Sequence, residues 1–210
     1  MRYNDEYLNN YYRTQLSEYS KLGQQLEGLG DLASILNDLE GTGIDGALSD
    51  FYKALNNLNE YPASSTARIN FIETAKTLTS TMNSKYQQLQ ENTTKALGDG
   101  ISQESLENSK IYVQYRELNN KLEELASVNK ALITTQTGTL EANNLLDKRD
   151  LILNEIAEFT DIKVVEKHNG AVNLYIGDTA VVKCAEVTGK LEIQTAKSYC
   201  DSQNPPITYP

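Results

Sequence analysis

The chain has 210 residues, a formal net charge of −10 and a mean hydropathy of −0.51. An acidic chain without clusters of lysine and arginine lacks the charge that attracts a phosphate backbone, which argues against general nucleic-acid binding. No apolar run reaches the roughly 18 residues of a membrane span, and the N-terminal residues lack the apolar core of a secretory signal, so we expect neither membrane insertion nor a cleaved signal.

The first half of the chain contains three segments whose apolar residues recur every three or four positions, the spacing of one helix face. They cover residues 8–36, 45–61 and 66–96. The first segment contains internal glycines, which predict local bending or very close packing because each destabilises a helix interior by roughly 1 kcal/mol relative to alanine. These glycines are Gly23, Gly28 and Gly30.

The fourth segment, residues 102–134, has the most regular apolar pattern. Its leucines and aromatic residues step by four and three, which is typical of a coiled-coil heptad, and Asn129 stands at a seam position. A polar seam residue can set the register of a coiled coil, and a chance polar residue in a wide bundle explains the same observation. A fifth helix is predicted after Gly138.

Beyond Asp161 the pattern becomes strand-like. Apolar runs at residues 164–165, 172–176, 181–182 and 191–193 alternate with turn dipeptides such as Asn169-Gly170, which predicts β-hairpins. We therefore predict a mostly α fold with a small β part, an α+β arrangement.

The predicted domain organisation has three parts. An elongated antiparallel helical bundle or coiled coil occupies residues 1–160. A β-hairpin region over residues 161–196 begins an outer β-domain, and residues 197–210, which contain two consecutive prolines, form a loose tail.

The residue patterns that could carry catalysis fail on their context. Residues 41–46 match GxGxxG, but a helical segment precedes them instead of the buried strand that a dinucleotide loop needs, so they predict a plain interhelical loop. Cys184 and Cys200 fit isolated small apolar residues, a disulfide or half of a metal site, and His168 alone cannot complete a zinc site. His168 itself is predicted in a surface turn. We predict no catalytic, cofactor or metal residue and no enzyme activity.

Two groups of residues are candidates for protein interaction. Tyrosines repeat every four residues near the N-terminus and form an aromatic ridge suited to core or interface packing. Alternating charges at residues 146–150 predict a solvated ion-pair cluster on an exposed helix face, in which Arg149 could grip a carboxylate of a neighbouring helix or subunit. The candidate interaction residues are Tyr3, Tyr7, Tyr11, Asp147, Arg149 and Asp150.

One segment has family character. Residues 141–178, EANNLLDKRDLILNEIAEFTDIKVVEKHNGAVNLYIGD, resemble the flagellar hook-associated proteins of the FlgK type, in which an LLD-RD-LL-EL helix leads into a V-V-DG-VNVY-G hairpin. RYNDEYLNNYYRTQL at residues 2–16 and GIDGALSDFYKALNNLNEYPASSTARINFIETAKTL at residues 43–78 resemble two further segments of that family, in the same order. The resemblance covers about residues 1–182. The family's terminal helical segments are absent, so the chain is similar to an internal fragment.

The resemblance implies a structural subunit of the bacterial flagellar hook-filament junction. It implies export through the type III apparatus without a cleaved signal, assembly outside the cell, and contacts with the hook protein, the second junction protein and copies of the subunit itself. It also implies an export chaperone for the full-length protein, no cofactor, and a soluble monomer for this chain. The alternatives are another axial flagellar protein, such as the second junction protein or a flagellin, and a non-flagellar helical-bundle binding module or adhesin.

Overall fold

The computed structural model describes residues 6–36 and 43–195, and in these residues six helices precede a small antiparallel sheet. The helices are α1 (Glu6–Leu36), α2 (Gly43–Glu60), α3 (Ser65–Leu97), α4 (Gln103–Glu107), α5 (Lys110–Thr134) and α6 (Leu140–Phe159). The strands are β1 (Lys163–Glu166), β2 (Val172–Ile176), β3 (Thr179–Lys183) and β4 (Glu186–Val187). The predicted fold class, mostly α with a small β part, is confirmed. The predicted tail lies outside the described residues.

The predicted fourth helix is two helices, α4 and α5, because Ser109 interrupts it. The buried Ser109 hydroxyl donates to the carbonyl of Leu106 at 2.5 Å, at the end of α4. The same oxygen accepts from the backbone N–H of Tyr112 at 3.3 Å and so caps the start of α5. The heptad pattern therefore belongs to α5 alone.

Helix α1 passes through its three glycines without interruption. A Cβ atom added to Gly23, Gly28 or Gly30 would meet no described atom within 4 Å. The predicted very close packing at these glycines is therefore wrong. No neighbouring atom comes close enough to these positions to require a glycine there. The helix simply accommodates them.

The described residues divide into two compact units, one formed by residues 27–36 and 43–96 and the other by residues 6–26 and 97–195. In the first unit the rings of Phe51 and Phe71 lie 5.2 Å apart and join α2 to α3. Lys85 of α3 donates to the carbonyl of Ile35 in α1 at 2.6 Å. A cation at this position satisfies an acceptor near a helix C-terminus, where carbonyl groups lack partners within the helix.

The second unit contains the principal core. The apolar faces of α5 and α6 pack against each other and against the sheet, since each element buries its one apolar side there. The largest fully buried apolar side chains of this core are Leu122, Leu125, Ile152, Leu153, Ile156, Val172, Leu174 and Val182.

The sheet has the strand order β1-β2-β3-β4, with every neighbouring pair antiparallel, so it is a run of hairpins. Gly170 (φ 82°) and Gly177 (φ 57°) occupy the first two turns in the left-handed conformation that favours glycine. The strand predicted at residues 191–193 is wrong. That segment lies against α5 instead, where the Asn119 side chain donates to the carbonyl of Leu191 at 3.3 Å.

Asn129 is a buried polar link between α5 and the sheet. Its Nδ2 group donates to the carbonyls of Val172 at 2.9 Å and Cys184 at 2.6 Å, and its Oδ1 atom accepts from the backbone N–H of Val172 at 3.1 Å. The side chain therefore satisfies backbone groups of β2 and of the residue that follows β3. Neither sequence interpretation of Asn129, a coiled-coil register residue or a chance polar residue, is correct.

Replacement of Asn129 by leucine should lower the free energy of unfolding by about 2–4 kcal/mol, because it removes the partner of two buried backbone groups of Val172 and of the part-buried Cys184 carbonyl. Urea denaturation measures this change. Asn120→Leu, at an exposed position of the same helix, is the matched control and should change stability by less than about 0.5 kcal/mol. A coiled-coil register role predicts a different result, an altered oligomeric state with stability retained.

Candidate interaction site

Three of the predicted interaction residues lie on the surface. Tyr7 and Tyr11 of α1 are 80% and 56% exposed, and Asp147 of α6 is also exposed. Tyr3 lies outside the described residues. Exposure makes Tyr7, Tyr11 and Asp147 available to a partner, and their interaction role stays a prediction.

Arg149 is buried, with an exposed fraction of 2%, so the predicted position on an exposed helix face is wrong. Its Nε and Nη2 atoms donate to Oδ1 of Asp150 at 3.0 and 2.8 Å. Its Nη1 atom donates to the carbonyl of Gly170 and lies 3.2 Å from Oε1 of Glu166. The β1–β2 hairpin covers this turn of α6 and supplies two of the acceptors, which is why a guanidinium is tolerated there.

A second arginine, Arg13 of α1, enters the same site from another direction. Its Nη2 atom donates to Oδ1 of Asp150 at 3.4 Å, and its Nε atom donates to Oδ1 of Asn154 at 3.1 Å. The Arg13 side chain is buried, with an exposed fraction of 5%. We call Arg13, Arg149, Asp150 and Glu166 the two-arginine cluster.

The sequence interpretation missed Arg13. In the sequence, a single arginine on a predominantly polar helix looks the same whether it is buried or exposed to water. The available signal was that Arg13 falls within residues 2–16, one of the segments that carry the family resemblance.

Burial lowers the pKa of Arg13, the Asp150 carboxylate opposes that change, and the neighbouring Arg149 lowers the pKa further. Arg13 stays charged despite this shift, because the ordinary pKa of a guanidinium lies far above neutral pH. The cluster therefore contains two positive guanidiniums held at low exposure by carboxylates and backbone or amide oxygens. Its chemistry is that of a structural joint between α1, α6 and β1, with donors and acceptors engaged within the protein.

A more exposed set of ion pairs joins α5 to α6. Lys121 lies 2.8 Å from Glu155, and Lys148 lies 2.9 Å from Glu124. The hydrogen bond to Glu155 raises the pKa of Lys121, and the hydrogen bond from Lys148 lowers the pKa of Glu124. Pairs of this kind in contact with water contribute little to stability, whereas removing one partner from the buried cluster leaves an uncompensated charge.

The other candidate residues show no assembled site. Among residues 6–36 and 43–195, no group of three or more histidine, cysteine, aspartate or glutamate side chains is placed to hold a metal ion. His168 is exposed in the β1–β2 turn, as predicted. Cys184 is half-buried with its backbone N–H donating to Oδ1 of Asn173 at 3.0 Å, whereas Cys200 lies outside the described residues, so the state of the two thiols stays a prediction.

Part of the GxGxxG motif lies at the start of α2. Residues 43–46 form the first turn of α2, while residues 41 and 42 lie outside the described part of the chain. None of the helices in the described ranges combines the length and the apolar content needed to cross a membrane.

The chain matches a known protein family over most of its length. The model of the flagellar hook-associated protein FlgK helical domain matches residues 29–205, which places the chain among flagellar hook-associated proteins. The chain belongs to the FlgK helical-domain family.

Two relatives show how much of a longer protein the chain represents. It is 24% identical over 169 residues to flagellar hook-associated protein 1 of Bacillus subtilis (strain 168), covering 80% of this chain and 31% of that protein. It shares its fold with the flagellar hook junction protein FlgK from Burkholderia pseudomallei, with a TM-score of 0.61 and 20% identity over 85% of this chain and 28% of that chain. The chain thus spans less than one third of the length of these relatives.

Replacement of Arg149 by methionine should lower the free energy of unfolding by about 3–5 kcal/mol, because it removes one partner from a buried ion-pair cluster. Urea denaturation gives the value. Lys148→Met is the matched control at the adjacent, exposed position, and the loss of its pair with Glu124 should cost no more than about 1 kcal/mol. Equal effects of the two substitutions would contradict the structural role of Arg149.

Replacement of Gly170 by alanine should destabilise the chain by about 1–3 kcal/mol, since alanine disfavours the left-handed conformation and its Cβ would lie 2.7 Å from Cδ2 of Leu146. Gly177→Ala is the control, because Gly177 is also left-handed but has no described atom within 4 Å of an added Cβ. Thermal or urea unfolding compares the two. If Gly170→Ala lowers the free energy of unfolding more than Gly177→Ala does, the difference measures how much the packing of the hairpin turn against α6 contributes to stability. Equal losses of stability would mean that this packing contributes nothing.

Proposed function

We propose that the chain is the helical-domain part of a structural subunit of the bacterial flagellar hook-filament junction. The observation that carries this proposal is the match of the FlgK helical-domain model across residues 29–205. The relative from Bacillus subtilis, named flagellar hook-associated protein 1, supports it. A non-catalytic role agrees with the two-arginine cluster, whose charged groups hold α1, α6 and β1 together.

The proposed partners are the hook protein, the second junction protein and copies of the subunit itself, with an export chaperone for the full-length protein. The subunit would be exported by the type III apparatus and assembled outside the cell. Support for assembly by helix packing comes from α1, where apolar side chains at helical spacing are exposed: Tyr19 by 76%, Leu22 by 60% and Leu26 by 73%. Such contiguous apolar surface is typical of interaction sites.

The proposed contact residues are Tyr7, Tyr11 and Asp147, which the structure leaves accessible. Tyrosines contribute much of the binding energy where they are covered in an interface. We further propose that residues 161–196 begin an outer β-domain of the longer subunit, since the sheet of the described chain ends in the short strand β4.

Co-assembly tests the proposal. The longer parent subunit is added to hook structures, followed by the second junction protein, and incorporation is measured by electron microscopy and by sedimentation of the hooks. We expect the parent subunit to occupy the hook end and to be required for addition of the second junction protein. Failure to bind hooks, or binding to another macromolecule without co-assembly, would favour the alternative of a helical-bundle binding module.

Replacement of both Tyr7 and Tyr11 by alanine in the parent subunit should reduce incorporation by roughly tenfold or more, because truncated aromatic contacts at an interface each cost about 1–2 kcal/mol or more. Tyr61→Ala, at another exposed tyrosine that follows α2, is the control for loss of an aromatic side chain. Circular dichroism should show both variants folded. Normal incorporation of the double variant would remove these tyrosines from the proposed interface.

A further inference from the structure

Asp150 connects two elements that approach α6 separately. The same carboxylate oxygen, Oδ1, accepts from Nη2 of Arg13 on α1 at 3.4 Å and from Nη2 of Arg149 on α6 at 2.8 Å. Arg149 in turn contacts the hairpin through the carbonyl of Gly170 and through Glu166 of β1. A continuous chain of charge-assisted contacts therefore runs from α1 through α6 to the hairpin.

The charges of the two-arginine cluster complement one another across three elements. Helix α6 supplies Arg149 and Asp150, a positive and a negative group that together carry no net charge. Helix α1 adds the positive Arg13, and β1 adds the negative Glu166. When only one of these two elements is docked, the four-residue cluster keeps an uncompensated charge at low exposure, which is costly. When both are docked, these four charges balance.

Arg13 and Glu166 also interact electrostatically. The Glu166 carboxylate acts to raise the pKa of Arg13, against the dominant effect of burial. The described side-chain hydrogen bonds of Arg13 both go to α6, so this interaction with β1 operates over a longer range than a direct bond. At the low exposure of this site such an interaction is screened less than on the surface.

We propose that the two-arginine cluster couples the docking of α1 to the seating of the β1–β2 hairpin, so that each of these elements stabilises the other through α6. By thermodynamic linkage the coupling is reciprocal: an event that releases α1 weakens the hairpin by the same factor as release of the hairpin weakens α1. A partner that binds either element in its docked form therefore steadies the other. This coupling does not rest on the proposed function.

Hydrogen exchange of the 210-residue chain, followed by mass spectrometry, tests the coupling. Arg13→Gln should raise the opening equilibrium of the paired β1–β2 amides, residues 163–176, by about fivefold or more, although the substitution is in α1. Glu166→Gln should raise opening of α1 over residues 8–20 by a similar factor. A hairpin unaffected by Arg13→Gln would overturn the proposal.

Two further variants separate coupling from general destabilisation. Lys121→Gln removes the half-buried pair with Glu155 between α5 and α6, outside the two-arginine cluster, and should leave α1 and the hairpin unchanged. Arg13→Lys keeps the positive charge and should restore part of the hairpin protection that Arg13→Gln loses. If Lys at this position protects no better than Gln, packing and not charge links the elements, and the proposal fails.

A double-mutant cycle tests the proposal even if the single variants exchange their amide hydrogens only through global unfolding. Urea denaturation gives the factor by which each variant raises the unfolding equilibrium constant. The factor for the combined Arg13→Gln and Glu166→Gln chain should be about one fifth of the product of the two single-variant factors, because the interaction that the two residues share is removed only once. If the factor for the combined chain equals the product of the two single-variant factors, Arg13 and Glu166 act independently and the proposal fails.

Discussion

The second compact unit depends on a constraint that follows from burying Arg149. A guanidinium excluded from water must be surrounded by acceptors, and α6 alone supplies only the Asp150 carboxylate. The remaining acceptors come from the β1–β2 hairpin, through Gly170 and Glu166. The observed position of the hairpin on α6 therefore supplies partners that the buried charge requires. Apolar packing favours burial in general, whereas these hydrogen bonds select the arrangement.

Asn129 on the neighbouring helix α5 is likewise a buried polar residue whose partners lie in the sheet. Its amide bonds to the backbone of Val172 and Cys184, so α5 holds the sheet at a point separate from the one that Arg149 holds. Two polar anchors on two helices fix both the position and the orientation of a small sheet. Four short strands have a limited apolar face, and directional contacts compensate for that limit.

The sequence was sufficient for most of the helices and for the first two hairpins because these depend on local patterns, but it missed the helix break at Ser109 and misplaced the last strand. Periodic leucines in α5 and the Asn169-Gly170 turn signal report their structure without reference to distant residues. Arg149 and Asn129 were misinterpreted because their environment is tertiary: a charged or polar residue beside an apolar stripe looks the same in sequence whether water or a hairpin lies next to it. Arg13 escaped notice for that reason. Its partner Asp150 lies 137 residues further along the chain.

Two of the three segments that resemble the family meet at these polar anchors. Residues 2–16 and 141–178 are far apart in sequence, yet the first contains Arg13 and the second contains Arg149, Asp150, Glu166 and Gly170. The structure brings both segments together at the two-arginine cluster. A joint of this kind needs particular side chains at each of its positions, since guanidinium geometry accepts few substitutes, whereas apolar core positions tolerate exchange among residues of similar volume. Two of the three segments that resemble the family, residues 2–16 and 141–178, thus supply the charged joint between α1, α6 and β1.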